Sequence, residues 1–342
     1  MKLNRSRPRR GRSRLAQSAA EGGIPPVTVV VATVNRRDRV EETLVALQEQ
    51  TYPRFEVVVV NGPSTDGTAE MLKRFADRAR LFTCSEASAS VSRNIGFQQA
   101  VGDIVALIDD DAIPQPDWLE HLVPPFRDER VAAVGGPVFD VPLDRVEWKI
   151  CTCTRLGVVN TDSPPPIARY QGVGADPFAY LAGCNLALRR SVVQEVGGFN
   201  SALPYSYDEA EFCCRLNDAG YHVEYVERAL VRHYRAVSAM RDEQQLITDP
   251  YSLILGRIVF ALHSARTSQV QAEVMSLVPD WEADWQAYSS SHLASGLFSP
   301  SEHERFIARV AAGAAEGVAR GRQPRPFTTI GPPPIAEFRQ YR

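Results

Sequence analysis

The chain has 342 residues, 44% of them hydrophobic and 23% charged. That is ample for one large core or two small ones, and it excludes collagen-like, disulfide-scaffold and wholly disordered chains. Its longest apolar runs, such as residues 27–34, stop far short of the roughly 20 residues of a membrane-spanning helix. Six cysteines without a C-x-x-C pair fit reduced thiols in a cytoplasmic protein.

The net charge of −3 hides a division. Lys2, Arg5, Arg7, Arg9, Arg10, Arg12 and Arg14 precede the first acid, Glu21, and leave 31 bases against 41 acids in the remainder. Residues 1–24 therefore read as a solvated basic tail, too poor in apolar surface to fold. No apolar stretch follows it, so it is not a secretory signal. Its arginines could add a peripheral contact with the inner face of a membrane, at about 1 kcal/mol each near anionic lipid. Nucleic acid is not an expected partner, since no aromatic residues interleave with the basic ones.

From Val27 the pattern predicts alternating strands and helices. Val27-Thr28-Val29-Val30-Val31 has the β-branched density of a strand buried on both faces. Residues 39–50 place Val40, Leu44 and Leu47 at helical spacing, and residues 55–60 return to strand. Such units imply a parallel sheet. Further helices are expected over residues 66–80, capped by Asp66, and over 89–100, with a central strand at 103–108. Beyond Trp118 a strand at 131–136, a Pro- and Gly-rich loop at 162–176, a strand at 181–189 and a helix at 208–219 are predicted. Residues 25–245 thus read as one α/β domain. Residues 246–342 form a mainly helical extension, most apolar at 251–263, whose final twenty residues read as loosely packed.

In an open parallel sheet, ligands bind at the carboxyl ends of the strands. Here those ends read Thr33-Val34-Asn35-Arg36, Asn61-Gly62-Pro63-Ser64 and Asp109-Asp110-Asp111. Three adjacent carboxylates repel unless exposed or neutralised, and hard divalent cations take such ligands. A metal site is one reading and a solvated acidic turn the other. Alternation along an extended segment lets Asp109 and Asp111 point one way and Asp110 the other. Arg36 and Arg93 are the candidate phosphate contacts, since neither a G-x-x-x-x-G-K-[ST] loop nor a strand-linked G-x-G-x-x-G is present. Downstream, Asp208-Glu209-Ala210-Glu211 opens a helix with Arg215 four residues beyond Glu211. This suits dipole compensation and an ion pair, or a general base tuned by its surroundings.

These segments, together with Gln50-Thr51-Tyr52-Pro53, Ser64-Thr65-Asp66-Gly67-Thr68, Ser92-Arg93-Asn94, Pro116-Asp117-Trp118, Gly183-Cys184-Asn185 and Gly197-Gly198-Phe199, occur in one order over residues 26–235. The chain resembles a family 2 glycosyltransferase. The resemblance implies a GT-A fold: α/β, Rossmann-like, with a mostly parallel sheet flanked by helices, here followed by the helical extension. It further implies an inverting enzyme that moves a sugar from a nucleoside-diphosphate sugar to a glycan, lipid-linked or small-molecule acceptor with help from a divalent cation, Mg²⁺ or Mn²⁺. Asp109 and Asp111 then match the outer members of a D-x-D motif, and His233 the histidine that completes the metal site. Thr33, Asn35, Arg36, Asn61, Arg93, Asp109 and Asp110 fall to the nucleotide. Gly183, Cys184, Asn185 and Glu211 fall to the sugar and acceptor. Glu209 matches the catalytic base, with Asp208 beside it. The family usually has Asp where this chain has Asn61, which removes a charged acceptor from the nucleobase side.

Alternative readings are a polyprenyl-phosphate sugar synthase, a sugar nucleotidyltransferase and a non-catalytic nucleotide-sugar-binding module. The nucleotidyltransferase normally opens with a Gly-rich, Arg- and Lys-containing loop, and no such loop follows Val31.

Overall fold

A computed structural model describes residues 23–238, 240–265 and 267–341. The basic tail lies outside these residues except at its last two positions.

The first half builds the parallel part of the sheet: β1 (Val27–Thr33), α1 (Arg37–Gln48), β2 (Phe55–Asn61), α2 (Thr68–Leu72), β3 (Arg80–Thr83), α3 (Ala89–Gln99) and β4 (Ile104–Asp109). β1 pairs in parallel with both β2 and β4, Val29 lying beside Val57 and Ala106. The two-residue period of the strands divides them between two cores. Val29, Val31, Val57 and Val59 pack with Leu44 and Leu47 of α1 on one face. Val30, Val58 and Val60 pack with Phe97 of α3 on the other. Both faces are covered, which is why these strands read as unbroken apolar runs.

The helix expected over 66–80 is short, giving way to a 3₁₀ turn at Lys73–Phe75. Asp66 accepts from Thr68 N at 3.0 Å, but the capping position is Gly67. The shortening has a tertiary cause: residues 80–83 pair with Val58 to Asn61 as β3, so the chain must already be extended there.

The second half is mixed. It runs through β5 (Ala112–Pro114), α4 (Trp118–Leu122), β6 (Val131–Gly135), β7 (Val138–Asp140), β8 (Arg145–Trp148), β9 (Cys151–Cys153), β10 (Val159–Asn160), β11 (Phe178–Tyr180), β12 (Leu186–Arg189), α5 (Arg190–Val196), α6 (Asp208–Asp218), β13 (His222–Tyr225) and β14 (Val231–His233). The main sheet has the order β13-β6-β12-β4-β1-β2-β3, with β12 antiparallel to both neighbours. The single strand expected at 181–189 is broken by a 3₁₀ turn at Gly183–Asn185. A small sheet, β5-β14-β7-β8, brings β14 beside β5 just past the end of β4.

Three helices follow: α7 (Tyr251–Ser264), α8 (Ser268–Ala294) and α9 (Pro300–Gly321). α7 is buried on several sides. Leu255 and Val259 meet Leu203, and Phe260 joins the cluster of Cys151 and Tyr180. Ile254, Ile258 and Leu262 face α8 and α9. No helix among the described residues is long and apolar enough to cross a membrane. Most of the final residues are exposed, but the segment is anchored at two points. It forms a strap in which Ile330 and Tyr341 are buried, and Tyr341 Oη donates to Leu44 O at 2.8 Å.

Candidate active site

The carboxyl ends of β1, β2 and β4 form one wall. Asn35 adopts a left-handed φ of 52° and stitches two loops together. Its N–H donates to Ser64 Oγ at 2.9 Å and its Oδ1 accepts from Thr65 N at 2.7 Å. Ser64 Oγ in turn donates to Asn61 Oδ1 at 2.7 Å. Thr33 pairs with Asn61 at the end of the β1–β2 ladder and is buried, its hydroxyl beside Asp110.

The acidic triplet lies beside these loops. Asp109, Asp111 and His233 each offer one ligand atom, and these atoms lie within 4.8 Å of one another. β14 delivers the histidine by pairing His233 with Ala112. His233 Nε2 lies 3.0 Å from Asp111 Oδ1, while Asp111 Oδ2 accepts from Arg36 Nη1 at 2.8 Å and from Ala236 N at 2.9 Å. Burial opposes the charge on Asp111, but His233, the Ala236 amide and Arg36 outweigh it and hold the carboxyl below its usual range. Asp110 stands outside the group. Burial, then the charge of Asp111, pushes it up to about 7. Burial also opposes the charge on His233, but its hydrogen bond to Asp111 and that carboxylate's charge raise its affinity for a proton.

The facing wall is the start of α6. Arg93, near the start of α3, donates from Nη1 to Asp208 Oδ2 at 2.6 Å and to Glu209 Oε1 at 2.9 Å. Its Nη2 donates to Asp109 Oδ1 at 3.2 Å. Arg93 thus joins the two acidic groups, and its guanidinium rests 5.4 Å from the ring centroid of Phe199. Asp208 is fully buried, whereas 20% of the Glu209 side chain is open to the cleft. Burial and then the Glu209 charge push Asp208 well up. For Glu209 burial is outweighed by Arg93 and by the hydrogen bond with Asp208, so it stays ionised. Gly183 makes room for this arrangement: a Cβ there would collide with the Glu209 carboxylate and with Arg93.

Several residues expected at the site stand elsewhere. Glu211 points away from Glu209 on the helix and is bound by Arg215 and Arg325, both at 3.0 Å. The residue that keeps Glu209 charged is Arg93. Asn185 is fully buried and serves as a structural pin. Its Oδ1 accepts from Trp118 Nε1 at 2.8 Å, and its Nδ2 donates to Ala229 O at 2.7 Å and Pro137 O at 3.1 Å. Cys184 packs with Val138 and Ala182, its thiol pushed up by burial and by Asp109 and Asp111. Of that turn, Gly183 faces Glu209 and Arg93 directly, and the buried Cys184 thiol lies close enough to feel the same acids.

Two contributors carried no signal in the sequence. The Ala236 amide acts through the backbone, and Arg235 pins the same loop by ion pairs to buried Asp140 and to Glu147. A groove of about 360 Å³ lined by Ile24, Tyr52, Pro53 and Phe126 sits at the amino ends of β1 and β2, and none of the clustered acids lines it.

The profile of the family described as Glycosyl transferase family 2 matches residues 28–197. The glucosyl-dolichyl phosphate glucuronosyltransferase of Haloferax volcanii is 31% identical over 233 residues, covering 60% of this chain and 68% of that protein. Glycosyltransferase AglE of the same organism is 29% identical over 218 residues, covering 61% and 67%. Among solved structures, mannosyltransferase PcManGT from Pyrobaculum calidifontis, in complex with GDP-Man and Mn²⁺, matches with a TM-score of 0.51 at 19% identity, over 87% of this chain and 88% of its own. That likeness is one of fold. Motif order, sheet topology and relatives agree: the chain belongs to glycosyl transferase family 2 and is a glycosyltransferase with a GT-A-like fold.

Proposed function

We propose that this glycosyltransferase inverts the sugar it transfers, taking it from a nucleoside-diphosphate donor to an acceptor hydroxyl with Glu209 as general base. The observation that carries the reading is the state of Glu209: ionised, held by Arg93 at 2.9 Å and partly open to the cleft beside the Asp109, Asp111 and His233 group. A carboxylate so held can accept the hydroxyl proton as the oxygen attacks the anomeric carbon from the face opposite the leaving group. Such help is worth about 10²- to 10⁴-fold in rate. Asp208, buried and pushed toward the neutral form, supports its neighbour through a hydrogen bond.

Asp109, Asp111 and His233 would hold a divalent cation. The fit rests on the donor set: two converging carboxylates and the His233 imidazole, whose Nε2 lies 3.0 Å from Asp111 Oδ1. Two hard oxygens and one imidazole suit Mn²⁺ or Mg²⁺. Bound there, such an ion supplies charge compensation for the departing diphosphate. Thr33, Asn35, Arg36 and Asn61 line the nucleotide side, where the Asn61 amide offers donors that a carboxylate lacks. The Mn²⁺ and GDP-mannose of the Pyrobaculum calidifontis complex support the donor class.

The acceptor is a hydroxyl rather than a lipid phosphate. A phosphate acceptor needs no base and would meet the Glu209 charge as repulsion, which disfavours a polyprenyl-phosphate sugar synthase. The Haloferax glucuronosyltransferase, whose name specifies a lipid-linked sugar, supports an acceptor in which the hydroxyl belongs to such a sugar.

The test is a screen of nucleoside-diphosphate sugars for cation-dependent turnover, with the anomeric configuration of the product read by NMR. Glu209→Gln should lower kcat about 10²- to 10⁴-fold with donor affinity retained. Normal turnover by Glu209→Gln, or retention of configuration, overturns the reading.

A further inference from the structure

After α9 the chain turns back across the molecule and is bonded to the two helices that hold the charged centre. Arg325 Nη1 donates to Glu211 Oε1 at 3.0 Å, two residues beyond Glu209 on α6. Asn94, the neighbour of Arg93 on α3, donates from Nδ2 to Thr328 Oγ1 at 3.4 Å and to Phe199 O at 2.9 Å. Its Oδ1 accepts from Phe199 N at 2.7 Å.

The meeting point of α3, α6 and the strap is the turn Gly197-Gly198-Phe199. Gly198 N donates to Thr328 O at 2.9 Å, and Arg215 Nη2 donates to Gly198 O at 2.7 Å. The glycines are required by these approaches. Gly197 has a φ of +82° and a Cβ on it would strike the ring of Phe327, while a Cβ on Gly198 would strike Asn94 Oδ1. The next residue, Phe199, supports the Arg93 guanidinium with its ring.

We infer that Arg325 and Thr328 are positioning residues for catalysis: the strap fixes α3 against α6 and so sets the Arg93 guanidinium on the Glu209 carboxylate. The inference rests on Glu209 being the base. Charge compensation of Glu211 does not account for Arg325, because that buried carboxylate is already held by Arg215 at 3.0 Å and the Arg325 side chain is itself 34% exposed. Geometry does account for it. Misplacing a reacting group by about 1 Å can cost on the order of 10²-fold in rate, and each helix carries one partner of the Arg93–Glu209 hydrogen bond.

The experiment compares Arg325→Ala, Arg325→Lys and Thr328→Val in the full chain, reading kcat, donor KM and the thermal midpoint. Arg325→Ala should lower kcat about 10- to 100-fold while donor KM shifts by less than about twofold and the midpoint hardly moves. Arg325→Lys, which keeps a charge within reach of Glu211, should recover most of kcat, and Thr328→Val should show a smaller fall of the same kind. Unchanged kcat in Arg325→Ala overturns the inference. So does a fall in kcat that comes only with a lower midpoint, or that Arg325→Lys fails to rescue, since either marks a merely structural role. Glu209→Gln in the same assay separates the two claims. An active Glu209→Gln overturns the base assignment, whereas an inactive one beside a normal Arg325→Ala overturns the strap inference alone.

Discussion

Two pairs of adjacent carboxylates face each other across the cleft, Asp110–Asp111 at a strand end and Asp208–Glu209 at a helix start, and the protein splits each pair by different means. In both, one member is driven toward the neutral form and the other held ionised. At the strand end the charge is held by three independent donors, namely His233, the Ala236 amide and Arg36. At the helix start a single guanidinium holds it, aided by the buried neighbour and by a backbone amide. The strand-end group is over-determined, so its losses should be graded. The helix-start pair should fail at one point.

Removing each arginine in turn puts this contrast under the greatest load. Arg93→Ala leaves the ionised Glu209 carboxylate, largely buried beside Asp208, without its counter-charge, and breaking such a pair costs about 3 to 5 kcal/mol. Urea unfolding should show that loss together with loss of turnover. Arg36→Ala, whose side chain is 21% exposed, should leave Asp111 ionised through its two other donors and cost far less in stability. Equal losses for the two variants would mean that the strand-end group has no redundancy.

The same redundancy predicts a graded metal effect. His233→Ala should leave a functional enzyme whose cation titration shifts about 10- to 100-fold to higher concentration, because Asp109 and Asp111 remain. A titration that does not move would confine His233 to orienting Asp111.

The sign of the pH dependence follows from Arg93. A glutamate whose folded pKa lies below its ordinary 4.5 keeps its charge, and the stability that charge contributes, above that value and loses both as pH falls through the lowered one. At saturating donor and cation, kcat should therefore hold its acidic plateau down to at least the ordinary glutamate value. An acidic limb centred above it would assign the base to another group.

Much of this arrangement was legible in the sequence, for a local reason. Strands buried on both faces appear as unbroken β-branched runs, and Asp109, Asp110 and Asp111 are contiguous, so both survive reading in one dimension. Contacts between distant segments do not. Arg93 meets Asp208 across 115 positions and Tyr341 meets Leu44 across 297. No periodicity encodes either. The strap misleads by composition: its prolines and arginines read as loose, yet Ile330 and Tyr341 are buried by partners near the other end of the chain. β3 was hidden because none of its four residues is fully buried and only two are apolar, so its apolar signal is weak.

Asn185 shows the same limit at the smallest scale, since its place in a motif suggested substrate contact while its hydrogen bonds are spent inside the protein. Trp118→Phe tests this without touching the asparagine. The substitution removes the indole donor 2.8 Å from Asn185 Oδ1 and leaves that oxygen unsatisfied in a fully buried position, a loss of about 1 to 3 kcal/mol. The thermal midpoint should fall accordingly. Donor KM and kcat, measured well below the new midpoint, should stay near wild type, because no atom of the cleft has changed. A donor KM that rises with little loss of stability would return Asn185 to the substrate and show that its interior hydrogen bonds give way when the donor binds.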